Sequence, residues 1–163
     1  MSVNRHSENR ESAGHAEGAT TFEDLEVYQV ARRFRQQMYG VARRLPEFEK
    51  FGMVSQVRRA ALSLTNNIAE GHGRFHYLDQ IKFMFQARGS LQELIDDLNA
   101  CSDENYLPGN EISELKDAGW RVRQLIDGYI RYLKRSKSSM SVREGNDDDG
   151  PILDSRFSNY DTP

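Results

Sequence analysis

The sequence is poor in cysteine and proline and has no long apolar run. Its single cysteine, Cys101, excludes an internal disulfide framework and a cysteine metal cluster, and a lone thiol suits a reducing compartment. No window approaches the ~20 apolar residues of a membrane span, and the N-terminus lacks the apolar core of a signal peptide. We therefore expect a cytoplasmic protein with no membrane partner.

The sequence also lacks a large excess of either positive or negative charge. The net charge is -3, although charged residues make up 29% of the chain. The acidic excess lies near the two ends, and residues 21–136 are almost balanced. This distribution lacks the bulk positive charge that a basic nucleic-acid-binding domain shows, so any such binding must depend on a local patch.

Composition divides the chain into three parts. Residues 1–20 are small and polar without periodicity, which predicts a disordered arm. Residues 21–136 carry helical periodicity, and residues 137–163 form an acidic, mostly disordered tail. A few apolar residues interrupt that tail, so it is either a solvated tail or a short motif that docks on a partner or on the bundle itself.

Four helical segments are expected between the tails. The first begins at Thr20-Thr21, where Thr20 and Glu23 have capping-box spacing, and it ends before Pro46. The second starts near Phe51-Gly52 and closes at Gly71 and Gly73, where glycine accepts a left-handed helix cap. The third covers about residues 75–101, and the fourth follows Pro108-Gly109 with Asn110 as its cap.

Each segment has apolar residues at alternating steps of three and four, which places one apolar stripe on each helix. The stripes are Val27, Val30, Phe34, Met38, Val41 and Leu45; Val54, Val57, Ala61, Leu64 and Ile68; Met84, Ala87, Leu91, Leu94, Leu98 and Cys101; and Ile112, Leu115, Gly119, Val122, Ile126, Tyr129 and Leu133. Short links make sequential helices antiparallel neighbours. The predicted fold is all-α, an antiparallel up-down-up-down four-helix bundle with disordered N- and C-terminal tails.

A polar stripe runs beside the apolar one on the second helix and has a counterpart on the third. Its members are Gln56, Ser63, Asn67 and Glu70, matched by Ser90 and Glu93. We interpret it as a polar assembly seam between helices or subunits, with a ligand site as the alternative. Ser63 and Glu70 lie ~10 Å apart along a helix, too far for direct proton transfer. No catalytic residue is therefore assigned.

Two other features of these helices could indicate a site. Gly89 lies in mid-helix, where glycine costs ~1 kcal/mol relative to alanine, which predicts close approach of a neighbouring backbone between the second and third helices. His72 and His76 have the spacing of metal ligands, but Gly73 lies between them at the expected helix end. Neither metal nor cofactor is expected.

Arginines concentrate on the first and fourth helices, which are neighbours in such a bundle. The candidate nucleic-acid contacts are Arg32, Arg35, Arg43, Arg44, Arg121, Arg123 and Arg131. They form either an ordinary solvated face or a merged patch that binds RNA or DNA in a salt-dependent way. Tyr39 and Tyr132 lie near this face as packing residues or as platforms for base stacking.

Two runs of residues resemble the signatures of a known family, the four-helix-bundle proteins encoded within intervening sequences of bacterial large-subunit ribosomal RNA genes. The first run is Gln56, Arg58-Arg59-Ala60-Ala61, Ser63, Asn67-Ile68-Ala69-Glu70-Gly71 and Gly73-Arg74; the second is Phe83 and Ala87-Arg88-Gly89-Ser90-Leu91-Gln92-Glu93-Leu94. The start of the first helix is also similar, and the resemblance covers about residues 21–135. Ser63-Leu64-Thr65-Asn66 departs from the usual small-residue and proline-containing step, which leaves the local helix geometry open.

The resemblance implies a non-enzymatic homo-oligomer, a pentamer in this family. The family is also similar to the accessory variability protein of diversity-generating retroelements, which binds a reverse transcriptase and nucleic acid. The leading hypothesis is a homo-oligomeric scaffold whose main partner is itself. The alternative is a nucleic-acid-binding accessory subunit of a reverse transcriptase.

Overall fold

The computed structural model describes residues 21–146, with side chains described as far as Ser138. Within that part the chain forms α1 (Glu26–Arg44), α2 (Met53–His72), α3 (Tyr77–Asp103) and α4 (Gly109–Asn146). Short 3-10 turns at Phe22–Asp24 and Glu47–Glu49 precede α1 and α2. The predicted arm (residues 1–20) and the last part of the predicted tail (residues 147–163) lie outside the described residues.

Cross-helix contacts fix the direction of each neighbouring pair. Near opposite ends of α1, Arg44 pairs with Glu111 and Glu26 pairs with Arg121, so α1 and α4 run antiparallel. Met53 and Gly71, at opposite ends of α2, contact Cys101 and Phe83 of α3, which makes that pair antiparallel too.

The other two pairs of neighbouring helices, α3 with α4 and α1 with α2, are also antiparallel. Along α3 and α4, Arg88 meets Asp127 and Asn99 meets Lys116. Between α1 and α2, the Arg35 side chain reaches Thr65, and the Arg58 guanidinium lies over the Tyr39 ring. The fold is the predicted up-down-up-down four-helix bundle, in which α1 and α3 occupy diagonal corners because each packs against α2 and α4.

The apolar stripes meet in one core. All of their members are buried except Val30, Val54 and Tyr129, which are partly buried against the core. Gly119 is buried because α4 approaches α1 and α3 there: an added Cβ would lie 2.6 Å from Ile95 Cδ1 and 3.2 Å from Phe34 Cζ. The periodicity therefore identified the inward face of every helix.

Helix ends differ from the prediction at several points. The capping box uses Thr21 and Asp24, where the Thr21 amide donates to Asp24 Oδ2 at 2.9 Å, and α1 itself begins at Glu26. Gly73 ends α2 with φ -74°, a right-handed value, so the expected left-handed cap is wrong. Asn110 lies in the first turn of α4 rather than at its cap, because α4 begins at Gly109.

The second helix is continuous through Ser63-Leu64-Thr65-Asn66, the step that departs from the family pattern. The fourth helix continues to Asn146, so residues 137–146 are helical although composition grouped them with the tail. Nothing in that stretch breaks a helix before Gly145, since it contains no proline. Its 38 residues are twice the 19 of α1. At the contact between Arg88 and Asp127, α3 has begun 11 residues earlier and α4 continues for 19 more, so the last turns of α4 extend beyond the start of α3.

Candidate functional site: a polar seam and an arginine-rich face

The polar stripe predicted on α2 forms a seam along its boundary with α3. At its centre Ser63 Oγ accepts hydrogen bonds from Ser90 Oγ at 2.9 Å and Asn67 Nδ2 at 3.1 Å. Asn67 Nδ2 also lies 2.9 Å from the Ser63 carbonyl oxygen. Ser90 is buried and Ser63 half-buried, so this cluster satisfies its polar atoms at the boundary between the two helices.

The ends of the seam are more exposed and more charged. Gln56 Nε2 donates to Glu93 Oε2 at 3.1 Å, and the Arg59 guanidinium lies 4.0 Å from the same carboxylate. At the other end Glu70 pairs with Arg74 of its own chain segment. Of the six predicted seam residues, Gln56 pairs with Glu93 and Ser63 with Ser90 across the two helices. Asn67 and Glu70 instead bond to residues close to them in sequence.

Periodicity places Asp97 on the polar stripe of α3, but this residue was not among those assigned to the seam. Its Oδ2 atom is buried and has no hydrogen-bond partner among the described residues. Burial, together with the nearby carboxylates of Glu93 and Asp96, raises the pKa of Asp97 to about 6, and Arg59 offsets part of this rise. The available signal was its position in the same seven-residue register as Ser90.

The glycines beside the seam have different roles from those predicted. Gly89 is exposed, and an added Cβ would meet nothing within 4 Å, so the predicted close approach between α2 and α3 at this residue is wrong. The close approach occurs instead at Gly71, where an added Cβ would lie 2.9 Å from Phe83 Cβ and 3.0 Å from Met84 Cε. Ser90, the neighbour of Gly89, is the residue that faces α2.

Four of the seven predicted arginine contacts already have partners in the subunit. Arg44 pairs with Glu111 and Arg121 with Glu26, so each bridges α1 and α4. Arg35 NH1 donates to Thr65 Oγ1 at 2.7 Å, which turns it toward α2. Arg123 Nε donates to Asp127 Oδ2 at 2.8 Å. The contacts of Arg44, Arg121 and Arg35 join helices, whereas the Arg123 contact lies within α4. The three carboxylates reduce the positive charge that their arginines offer to a partner, and the neutral Thr65 does not.

Asp127 accepts two arginines, because Arg88 of α3 also donates to it at 3.2 Å. Burial raises the pKa of Asp127, but the hydrogen bonds from Arg123 and Arg88 outweigh burial and hold the net pKa below its usual value. No pattern in the sequence indicates this role for Asp127, because periodicity marks a helix face and does not identify the side chain opposite.

The other three predicted arginines, Arg32, Arg43 and Arg131, are exposed. Arg33 is exposed beside Arg32. Over the part of the chain that the structure describes, no ion pair or hydrogen bond involves these four side chains. Tyr39 packs beneath the Arg58 guanidinium at 4.5 Å, whereas Tyr132 is exposed and stacks on Tyr129 at 6.0 Å.

Residues 21–146 contain neither a cluster of metal-binding side chains nor a helix suited to span a membrane. There, three or more His, Cys, Asp or Glu side chains do not come together in a way that could hold a metal ion. His72 ends α2 and His76 precedes α3, so the two do not share a helix. No helix in this range combines the length and the apolar character needed to cross a bilayer.

The architecture is thus that of a four-helix-bundle protein whose polar residues join helices and whose unpaired charge lies on the outer faces. The chain belongs to the 23S rRNA-intervening sequence protein family, whose family model matches residues 23–128. This match spans α1, α2, α3 and the first half of α4, and it confirms the family resemblance. No curated protein matches the chain.

Proposed function

We propose that this protein is a non-enzymatic helical scaffold that assembles with copies of itself, with a pentamer as the expected order. The observation that carries the proposal is the outward stripe of α3, where Leu78, Phe85 and Gly89 lie on the side away from the core. Leu78 is 60% exposed and Phe85 41% exposed. Exposed apolar side chains in one helical register are typical of a surface that binds another protein.

The outward glycine adds to this argument. Gly89 destabilises an isolated helix by about 1 kcal/mol relative to alanine, and no contact inside the subunit requires it. Close approach of a second subunit would explain the glycine, because a larger residue at this position would obstruct the contact. The polar seam supports the non-enzymatic part of the proposal, because the Ser63 hydroxyl and the Glu70 carboxylate are both engaged in structural contacts.

Size-exclusion chromatography with light scattering tests self-assembly directly. We expect a mass near five subunits at micromolar concentration, and dissociation when Leu78 and Phe85 are both replaced by Ser. The matched control replaces Leu62, which is also exposed but lies on α2. A wild-type protein that stays a single subunit at every concentration would contradict the proposal.

A second candidate function is nucleic-acid binding, as an accessory subunit of a reverse transcriptase in a diversity-generating retroelement. The exposed arginines Arg32, Arg43 and Arg131 favour it, because no acid of the described residues neutralises them. Fluorescence anisotropy with labelled RNA and DNA should show binding that weakens as salt rises. Absence of binding at low salt would remove this candidate. A cytoplasmic location remains part of both proposals.

A further inference from the structure

Charge is distributed unevenly between two helices that lie at diagonal corners of the bundle. Residues 27–45, which include most of α1, contain five arginines and no Asp or Glu. Residues 89–104, the C-terminal half of α3 and the residue after it, contain five acidic residues and no Lys or Arg. Each run therefore has a local charge that the near-neutral bundle as a whole does not show.

Contacts inside the subunit leave much of this charge unmatched. On α1, Arg32, Arg33 and Arg43 are exposed and make no ion pair with a described residue; we call these three residues the arginine face. On α3, Glu93 meets Arg59 only at 4.0 Å, and Asp96 accepts a hydrogen bond from the neutral Asn99 at 3.3 Å. Asp103 is exposed near the end of the same helix. Glu93, Asp96 and Asp103, which are all exposed, are called the carboxylate face.

The two faces lie at similar heights along the bundle. In the middle of α1, Arg35 bonds to Thr65 of α2. Half a turn away on α2, Ser63 bonds to Ser90 in the middle of α3. The middle of α1 is therefore level with the middle of α3. At the far end Arg44 meets Glu111 in the first turn of α4, and α4 follows Asp103 after a short link. Neighbouring subunits placed side by side would thus bring the two faces together without an axial shift.

Both helices also have a mid-helix glycine with open space around it. An added Cβ would meet nothing within 4 Å at Gly40 of α1 or at Gly89 of α3. Gly71 and Gly119, on α2 and α4, are instead closely packed inside the subunit. Two of the loosely packed mid-helix glycines therefore belong to the same two helices as the unmatched charges. A third, Gly128, lies on α4, where an added Cβ would meet only the Arg131 side chain at 3.7 Å.

We propose that the arginine face of one copy docks on the carboxylate face of the next copy. This inference rests on the proposed self-assembly and names the surfaces that perform it. Because α1 and α3 lie at diagonal corners, their outer faces point in roughly opposite directions, and each subunit uses two different surfaces. Such a head-to-tail contact closes into a ring or continues as a filament, and it excludes a simple two-fold dimer. Opposite charges at the contact also set its register and speed its formation.

Charge exchange between two variants tests the pairing. Arg32→Glu with Arg33→Glu reverses the arginine face, and Asp96→Lys with Asp103→Lys reverses the carboxylate face. We expect each variant alone to dissociate, with the subunit dissociation constant raised at least about tenfold. Mixing the two should restore assembly, because the reversed arginine face of one meets the reversed carboxylate face of the other.

Matched controls use exposed charges elsewhere. Arg131→Glu and Asp117→Lys, both on α4, should leave the mass unchanged. Circular dichroism melts identify any variant that fails to fold, and the neutral pair Arg32→Gln with Arg33→Gln then replaces the charge reversal. All masses are measured by light scattering on the full-length chain.

The outcomes separate the two proposals. A wild-type assembly that no reversal disturbs, or single variants that dissociate and are not rescued by mixing, would overturn the pairing of these faces while leaving self-assembly intact. A wild-type protein that is always a single subunit would overturn self-assembly itself. Reversals that abolish RNA binding without changing the mass would assign the arginine face to nucleic acid and overturn the pairing.

Discussion

At the scale of single residues, Asp97 combines a buried carboxylate oxygen with two acidic neighbours. Its pKa in the fold is about 6, against an ordinary value of 3.8. Because the folded pKa is the higher of the two, folding favours the protonated acid. Stability from this residue is therefore greatest below about pH 4 and declines as the pH rises through about 6.

Asp97→Asn should remove this pH dependence. We expect the variant subunit to gain about 1 kcal/mol in free energy of unfolding at pH 7.5, with little change at pH 3.5. The full shift would correspond to about 3 kcal/mol, and partial exposure of the side chain reduces it. Urea melts of the dissociated subunit at several pH values measure the effect.

Asp117→Asn, at an exposed aspartate of α4, provides the control for that measurement. A loss of stability in Asp97→Asn at pH 7.5 would mean that the carboxylate has a favourable partner that outweighs its burial.

At the scale of helices, the two kinds of glycine lead to opposite expectations. Gly71→Ala should destabilise the bundle by about 1–3 kcal/mol, because its methyl group would press on Phe83 and Met84 where α2 meets α3. Gly89→Ala should stabilise the isolated subunit by about 1 kcal/mol, since the new methyl group has open space and alanine favours a helix. Thermal and urea melts distinguish the two variants.

Assembly gives Gly89→Ala a second readout. If the outward face of α3 is a subunit interface, the variant should be a more stable subunit and a weaker assembler. Equal stabilisation of subunit and assembly would show that the face stays in solvent.

Helix periodicity predicted most of the fold, because burial depends on which side of a helix a residue occupies. Phe34, Leu91 and Ile126 all lie in the core as their spacing predicts. Helix ends were less predictable, since a cap depends on local hydrogen bonds that several adjacent residues can make. Thr21 and Asp24 thus form the box expected one residue earlier.

The candidate site was predictable only in part for a related reason. The seam residues Ser63 and Ser90 were recognisable because both share one register on neighbouring helices. The partners of Arg44 and Arg121 were not, because long side chains reach acids that lie far away in the sequence. Gly89 was misinterpreted because a glycine in mid-helix indicates close approach without saying whether the neighbour is internal.

At the scale of the whole molecule, the proposed contact between charged faces should respond to salt. Raising NaCl from about 0.1 M to about 1 M shortens the Debye length from about 10 Å to about 3 Å and screens exposed pairs. We expect the assembly to dissociate at a higher protein concentration in 1 M salt. Light scattering over a dilution series at both salt concentrations measures this shift.

The apolar stripe of Leu78 and Phe85 predicts the opposite response, since hydrophobic contacts do not weaken with screening. An assembly that is equally stable at both salt concentrations would assign its free energy to that stripe rather than to the charged faces.

The length of α4 has a consequence for such an assembly. About the last eight residues of α4 extend beyond the start of α3, a rise of ~12 Å. In a closed ring every subunit has the same orientation, so all copies of this projecting helix would stand on one side. The two sides of the ring would then differ, because only one of them would carry the projecting ends of α4. A binding partner of the ring would therefore meet a different surface on each side.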